Sequence, residues 1–169
     1  QIANQQHAEA KAAAENAKQQ QQEANDAWER ARKERDDVIK AVVERLCASG
    51  AIDEEKTTTV FRAVLQRERK GSTGIGRGIA LPHCKTSAVE SPIVAFAKPV
   101  EPIPFGATDG APVHSLFCVV SPLDAADQHV ESLRWIAKIA RDDYYAKLLS
   151  TTRDPQSLYE LFQEIDGVA

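Results

Sequence analysis

Apolar positions recur at helical spacing in the first part of the chain and then give way to short apolar runs separated by glycine and proline. Val38, Ile39, Val42, Val43 and Leu46 make one amphipathic face that stops at Ser49-Gly50, a predicted C-cap. Neither glycine nor proline interrupts the sequence before that face, so one helix is predicted from near residue 5 to 49. Residues 54–70 predict a second helix with Val60, Ala63 and Val64 turned inward and Phe61 beside them. Ile79 to Leu81 reads as a short strand, 92–100 as a strand ending at Pro99, and Ser115 to Ser121 as a nearly continuous apolar run. A run of that kind predicts a strand buried on both faces. A helix follows Pro122, with Asp124 or Asp127 as its cap and Val130, Leu133, Ile136, Ala137 and Ala140 as its core face. Helices over 142–150 and 155–165 close the chain, Asp154-Pro155 marking the second start. This alternation predicts an α/β fold: a small mixed sheet flanked by helices.

Residues 1–35 read as a helical arm rather than as part of that domain. They are rich in Ala and Gln, and Ile2 and Trp28 are their large apolar residues. Six basic side chains balance six acidic ones there. Ala10, Ala14, Ala17, Gln21, Ala24, Trp28, Ala31, Arg35, Val38 and Val42 follow a 4-3-4-3 spacing, a seam of coiled-coil period. Alanines bury little area, so pairing along the seam should be weak. The arm is expected either as a solvated linker or as a packing surface, including a homodimer through this helix. The remaining elements make up a second unit over 36–169.

Composition narrows the class. The chain has 169 residues, 43% hydrophobic and 27% charged, with net charge −4, so charge gives no reason to expect nucleic-acid binding. Without a run of about 18 apolar residues, no membrane insertion is expected. Cys47, Cys84 and Cys118 are odd in number and lack C-x-x-C spacing, which fits a reducing, cytoplasmic compartment and buried or incidental thiols rather than zinc. With Gln1 first and methionine absent, the native polypeptide is expected to begin further upstream.

The chemistry concentrates in Gly71-Ser72-Thr73-Gly74-Ile75-Gly76-Arg77-Gly78, which runs through Ile79-Ala80-Leu81 to Pro82-His83. Glycines of this density make a loop whose backbone N–H groups can converge on an anion. Pro82 fixes its own φ and holds Leu81 extended, so His83 sits at a stiff strand end. A neutral imidazole is a nucleophile near neutral pH. The loop matches neither G-x-G-x-x-G nor a Walker A sequence, so nucleotide binding is not supported.

The sequence Ser72-Thr73-Gly74-Ile75-Gly76-Arg77-Gly78-Ile79-Ala80-Leu81-Pro82-His83 resembles the active-site signature of enzyme IIA domains. These belong to the bacterial phosphoenolpyruvate-dependent phosphotransferase system, of the fructose, mannitol and nitrogen-regulatory type. The resemblance covers roughly 36–165 and includes F-G-A-x-D-G-x-P-V at Phe105–Val113 and D-x-H-V-E-S-L-R-W-I-A at Asp127–Ala137. It implies that His83 takes a phosphoryl group from the carrier HPr. Arg67, sixteen positions earlier, would neutralise that group, and His129 would sit beside it. Ser72 and Thr73 would add hydroxyl donors, and Gly74, Gly76 and Gly78 backbone amides. His114 has a non-catalytic counterpart and is expected at a strand edge. Arg67-Glu68-Arg69-Lys70, taken without the resemblance, reads as a solvated helix end.

The implied activity is double phosphoryl transfer, from HPr to His83 and then to a IIB domain, as a phosphotransferase component. No metal or cofactor is called for, because the high-energy bond arrives on the carrier. The alternative is a regulatory module, of nitrogen-regulatory type or a cytoplasmic tail of a transporter, switched by phosphorylation of His83. The family usually places a short strand before its first helix. Here Trp28 to Arg35 favours helix, so either that strand is missing or the sheet edge is completed differently, for instance by another chain.

Overall fold

A computed structural model describes residues 2–167 of the chain, and side-chain environments within it over 11–165. The first helix, α1, runs unbroken from Ile2–Ala48. It stops as the sequence predicts: Gly50 takes φ 78°, and the amide of Ala51 returns to the carbonyl of Leu46 at 3.0 Å. A 3-10 turn at Glu54–Lys56 leads into α2, Thr57–Arg69. The strands are β1 Gly74–Gly76, β2 Ile79–Ala80, β3 His83–Lys85, β4 Ile93–Ala97 and β5 Ser115–Ser121. Helices α3 Ala126–Arg141, α4 Asp143–Thr151 and α5 Pro155–Gly167 complete the order.

β5 is the spine. It pairs parallel with β2 and β3 on one edge and antiparallel with β4 on the other, and β1 adds antiparallel to β2. Ile79 lies opposite Ser115 and His83 opposite Val119, so β2 and β3 keep one offset along β5. They are two halves of a single strand interrupted at Leu81-Pro82. All of β5 is buried because helices cover both faces. Leu116, Cys118 and Val120 join Ile39, Val43, Val60 and Val64 of α1 and α2. Phe117 and Val119 join Ile136, Ile139, Leu149 and Leu161 of α3, α4 and α5 on the other side. Phe96, Phe117 and Phe162 meet edge to face, with centroids 4.9, 5.0 and 5.7 Å apart.

Two details of α3 differ from the sequence reading. Its N-cap is Ala125, which makes no side-chain capping bond, so neither Asp124 nor Asp127 caps it. Asp127 lies inside the first turn, where a carboxylate can favour the dipole without capping. The buried stripe also starts one residue earlier than expected: His129 and Ile139 are inside and Val130 is 42% exposed. Ile136, Ala140 and the half-buried Leu133 lie on the predicted face; only the apolar valine next to His129 was misplaced.

The helical arm is part of α1 itself. Residues 11–30 are exposed along their whole length, including the seam from Ala14 through Trp28, while Ala10 lies outside the described side chains. Trp28 is 58% exposed, with the guanidinium of Arg32 over its ring. Core contact starts at Val38 and Ile39. Helix runs straight through Trp28 to Arg35, and among the described residues no strand precedes α1. No helix among the described residues is long and apolar enough to cross a membrane. All three cysteines are free; Cys84 and Cys118 are buried, which pushes their thiols up to about 12.

Candidate active site

Three elements bring Arg67, His83 and His129 together. Arg67 ends α2, His83 opens β3, and His129 stands at the first turn of α3, immediately past β5. The two imidazole centroids lie 5.4 Å apart with planes inclined at 53°. The Nε–H of Arg67 donates to Nε2 of His83 at 3.1 Å. The two histidines gather toward the carboxyl end of β5, the end at which ligands usually bind in α/β sheets.

Backbone geometry fixes the imidazole of His83. Its Nδ1 stands 2.7 Å from the carbonyl oxygen of Leu81. A carbonyl only accepts, so Nδ1 of the neutral ring carries the proton and Nε2 carries the lone pair. The stiffness expected of Leu81-Pro82 therefore has a chemical consequence: it selects the tautomer. Burial lowers the pKa of His83, and the nearby Arg67 charge adds to this, against opposing effects of the Leu81 carbonyl and Glu68. His129 is 7% exposed and its Nδ1 lies 2.9 Å from Oγ of Ser121 at the end of β5. Burial, then the neighbouring His83 and Lys85, lower its pKa too. Both lowered values favour the neutral imidazoles near neutral pH, beside the Arg67 guanidinium.

In the structure, Ser72 and Thr73 of the glycine loop have partners within the protein. Oγ of Ser72 donates to the carbonyl of Phe105 at 2.8 Å and accepts the amide of Gly74. Thr73 is buried, and both its amide and its hydroxyl are held by the carboxylate of Glu68. Gly74 and Gly76 form β1 against β2. Their glycine identity answers to packing: a Cβ on Gly74 would lie 2.8 Å from Cα of Ala107, and one on Gly78 2.3 Å from the ring of His114. Gly78 lies at the Ser115 end of β5, whereas His83 is paired four residues along. At roughly 3.3 Å per residue the two ends are about 13 Å apart, too far for Gly78 to touch a group on His83. His114 is half-buried at that same far end, its amide bonded to Gly78, as a strand-edge residue would be.

A family model described as "Phosphoenolpyruvate-dependent sugar phosphotransferase system, EIIA 2" matches residues 28–165. The chain belongs to that family. The nitrogen regulatory protein of Bradyrhizobium diazoefficiens is 36% identical over 123 residues, 72% of this chain and 80% of that protein. The fructose-specific EIIA component of the phosphotransferase system of Haloferax volcanii is 33% identical over 118 residues, 69% and 75% of the two chains. The crystal structure of the nitrogen regulatory protein IIA-Ntr from Neisseria meningitidis shares the fold with TM-score 0.65 and 28% identity, covering 73% of this chain and 83% of that one. The EIIA family thus includes relatives of this chain named for nitrogen regulation and for sugar uptake.

Three residues of this EIIA domain escaped the sequence reading. Glu68, expected in a solvated helix end, is 2% exposed. Ser121 holds His129, and Arg35 reaches Glu68. Only the position of Glu68, on the Val60-Val64 face of α2, signalled burial in advance. Among the described residues, no His, Cys, Asp and Glu side chains group as a metal site requires. A cleft of about 1000 Å³, lined by Phe96, Phe117, Trp135 and Phe162 among others, contains neither site histidine.

Proposed function

We propose that His83 is a phosphoryl acceptor and donor, its Nε2 forming the bond to phosphorus. The observation that carries this is the Nε2 lone pair facing the Arg67 guanidinium, with Nδ1–H fixed on the Leu81 carbonyl. A phosphohistidine carrier of HPr type presents its phosphoryl group in line with Nε2. The carrier's N–P bond breaks, leaving its electron pair on the carrier nitrogen, as the Nε2–P bond forms. Nδ1 keeps its proton on Leu81 throughout. Phosphoryl transfer of this loose kind needs positioning and charge neutralisation more than covalent chemistry. Arg67 moves its hydrogen bonds from the ring nitrogen to the phosphoryl oxygens, two of which its planar fork can bind. His129 offers a further ring N–H in the tautomer that leaves Nδ1 as acceptor from Ser121.

The onward step has two readings within the family. In sugar uptake the phosphoryl group passes to a IIB domain, and the chain is a phosphotransferase component. In the regulatory reading the same modification switches binding to a partner such as a transporter. The relatives named nitrogen regulatory protein and the exposed arm favour the second reading. Self-association through the arm would be the weakest contact, since its seam is mostly alanine.

The test is phosphoenolpyruvate with the first enzyme of the system, HPr and this chain. An acid-labile, base-stable label is expected on the protein and is lost in His83→Ala. Undiminished label in that variant would overturn the assignment. Transfer of label from the wild-type chain to a IIB domain supports uptake; binding of a partner by only one phosphorylation state supports regulation.

A further inference from the structure

Glu68 follows Arg67 in sequence, yet its side chain has no exposed surface. Burying a carboxylate is costly unless it is paired and hydrogen-bonded. Here it has both forms of compensation. Its two oxygens accept the amide of Thr73 at 3.0 and 3.2 Å, and one accepts the Thr73 hydroxyl at 2.5 Å. Nη1 of Arg35, on α1 at the root of the arm, stands 3.8 Å from the other oxygen. Arg35 is itself held by Asp36, through Nε at 3.0 Å and Nη2 at 2.7 Å.

The clasp on Thr73 reaches both reactive groups. The carbonyl of Thr73 accepts the amide of Leu81 at 2.9 Å, and the carbonyl of Leu81 holds Nδ1 of His83. Two residues before Thr73, the carbonyl of Gly71 accepts Nη1 of Arg67 at 3.0 Å. The guanidinium and the imidazole therefore hang from one short loop, and Glu68 fastens that loop to the end of α2. We propose that Glu68, neutralised by Arg35 from the arm, is a positioning residue that sets Arg67 against Nε2 of His83. This rests on the reading of His83 as phosphoryl acceptor. It also gives the arm helix a mechanical connection to the site, since displacing α1 at Arg35 leaves the buried carboxylate without its compensating cation.

The measurements are label acceptance from phospho-HPr and nitrogen-15 NMR of the arginine and histidine side chains in the full chain. Glu68→Gln keeps the shape and removes the charge. The expected result is a fall of tenfold or more in the maximal rate with the KM for phospho-HPr unchanged. The hydrogen-bonded Arg67 Nε–H signal is lost, and the backbone signals of β5 are retained. Glu68→Asp retains more rate than Glu68→Gln, and Arg35→Lys more than Arg35→Met. Acceptance by Glu68→Gln within twofold of wild type, or an unchanged Arg67 signal, overturns the proposal. If Glu68→Gln does not fold, Thr73→Val reads the same clasp by removing only the hydroxyl, and an unchanged Arg67 signal there overturns it equally. Failure of the wild-type chain to accept label would instead remove the function assigned to His83, while the NMR arm still decides the role of Glu68.

Discussion

The Nε–H of Arg67 points at Nε2 of His83 across 3.1 Å, and this contact gives the site its chemistry. On the proposed reading, this donor orients the nitrogen that would react and would move to the phosphoryl oxygens as the new bond forms. Replacing Arg67 with Gln should lower the rate of label acceptance by about 100-fold, the scale for losing one positioned donor to developing charge. Arg67→Lys should restore only part of it, because an ammonium cannot reproduce the planar fork. Rapid-quench labelling from phospho-HPr measures both.

The lowered pKa values of His83 and His129 predict how pH acts. Both groups titrate below 6.5 in the folded chain and near 6.5 when unfolded. Between those values the unfolded chain binds more protons, so stability is full above about pH 6.5 and falls as pH drops through the folded values. The acid limb of label acceptance should likewise lie below pH 6.5. Phosphorylation places negative charge beside His129 and should raise its pKa. Histidine NMR titration before and after labelling checks all three, and a His83 pKa above 6.5 contradicts them.

Gly78 should matter for folding and not for phosphoryl acceptance. Its φ is 72°, and a methyl group there meets the His114 ring. Gly78→Ala should therefore cost about 1–3 kcal/mol in urea unfolding, from backbone strain and overpacking together. Labelling of the folded variant should stay within a few-fold of wild type. A selective loss of labelling would return Gly78 to the phosphate-binding role that the sequence suggested.

Trp28 should contribute little to the stability of the isolated chain. More than half of it is exposed, and its only described packing partner is Arg32 on its own helix. Trp28→Ala should change unfolding free energy by no more than about 0.5 kcal/mol at micromolar concentration. A loss that grows with protein concentration would show that the arm pairs between copies, and sedimentation equilibrium would display the same association directly.

The glycine loop shows where reading from sequence is sound and where it stops. Its position, its termination at Leu81-Pro82 and the presentation of His83 all follow from local backbone rules. Its purpose does not. Ser72 and Thr73 look like free anion donors while their partners are unknown; Phe105 and Glu68, distant or unsuspected in sequence, bond them in this structure. Glu68 is the converse case, a charge in a charged run that the fold places inside.

What the sequence alone determined is whatever depends on neighbours along the chain. That includes the helical periods of α1 and α2, the stop at Gly50, the buried character of β5, and a motif specific enough to mark Arg67, His83 and His129 together. Tertiary structure decided everything that depends on pairing across the chain. Parallel registry on β5 brought His83 level with the start of α3 and separated it from Gly78, and the packing of α1 on α2 let Arg35 neutralise Glu68. The physical reason is that backbone preference acts over a few residues, whereas a hydrogen bond or a buried charge is decided by whichever group the packed fold brings within about 3 Å.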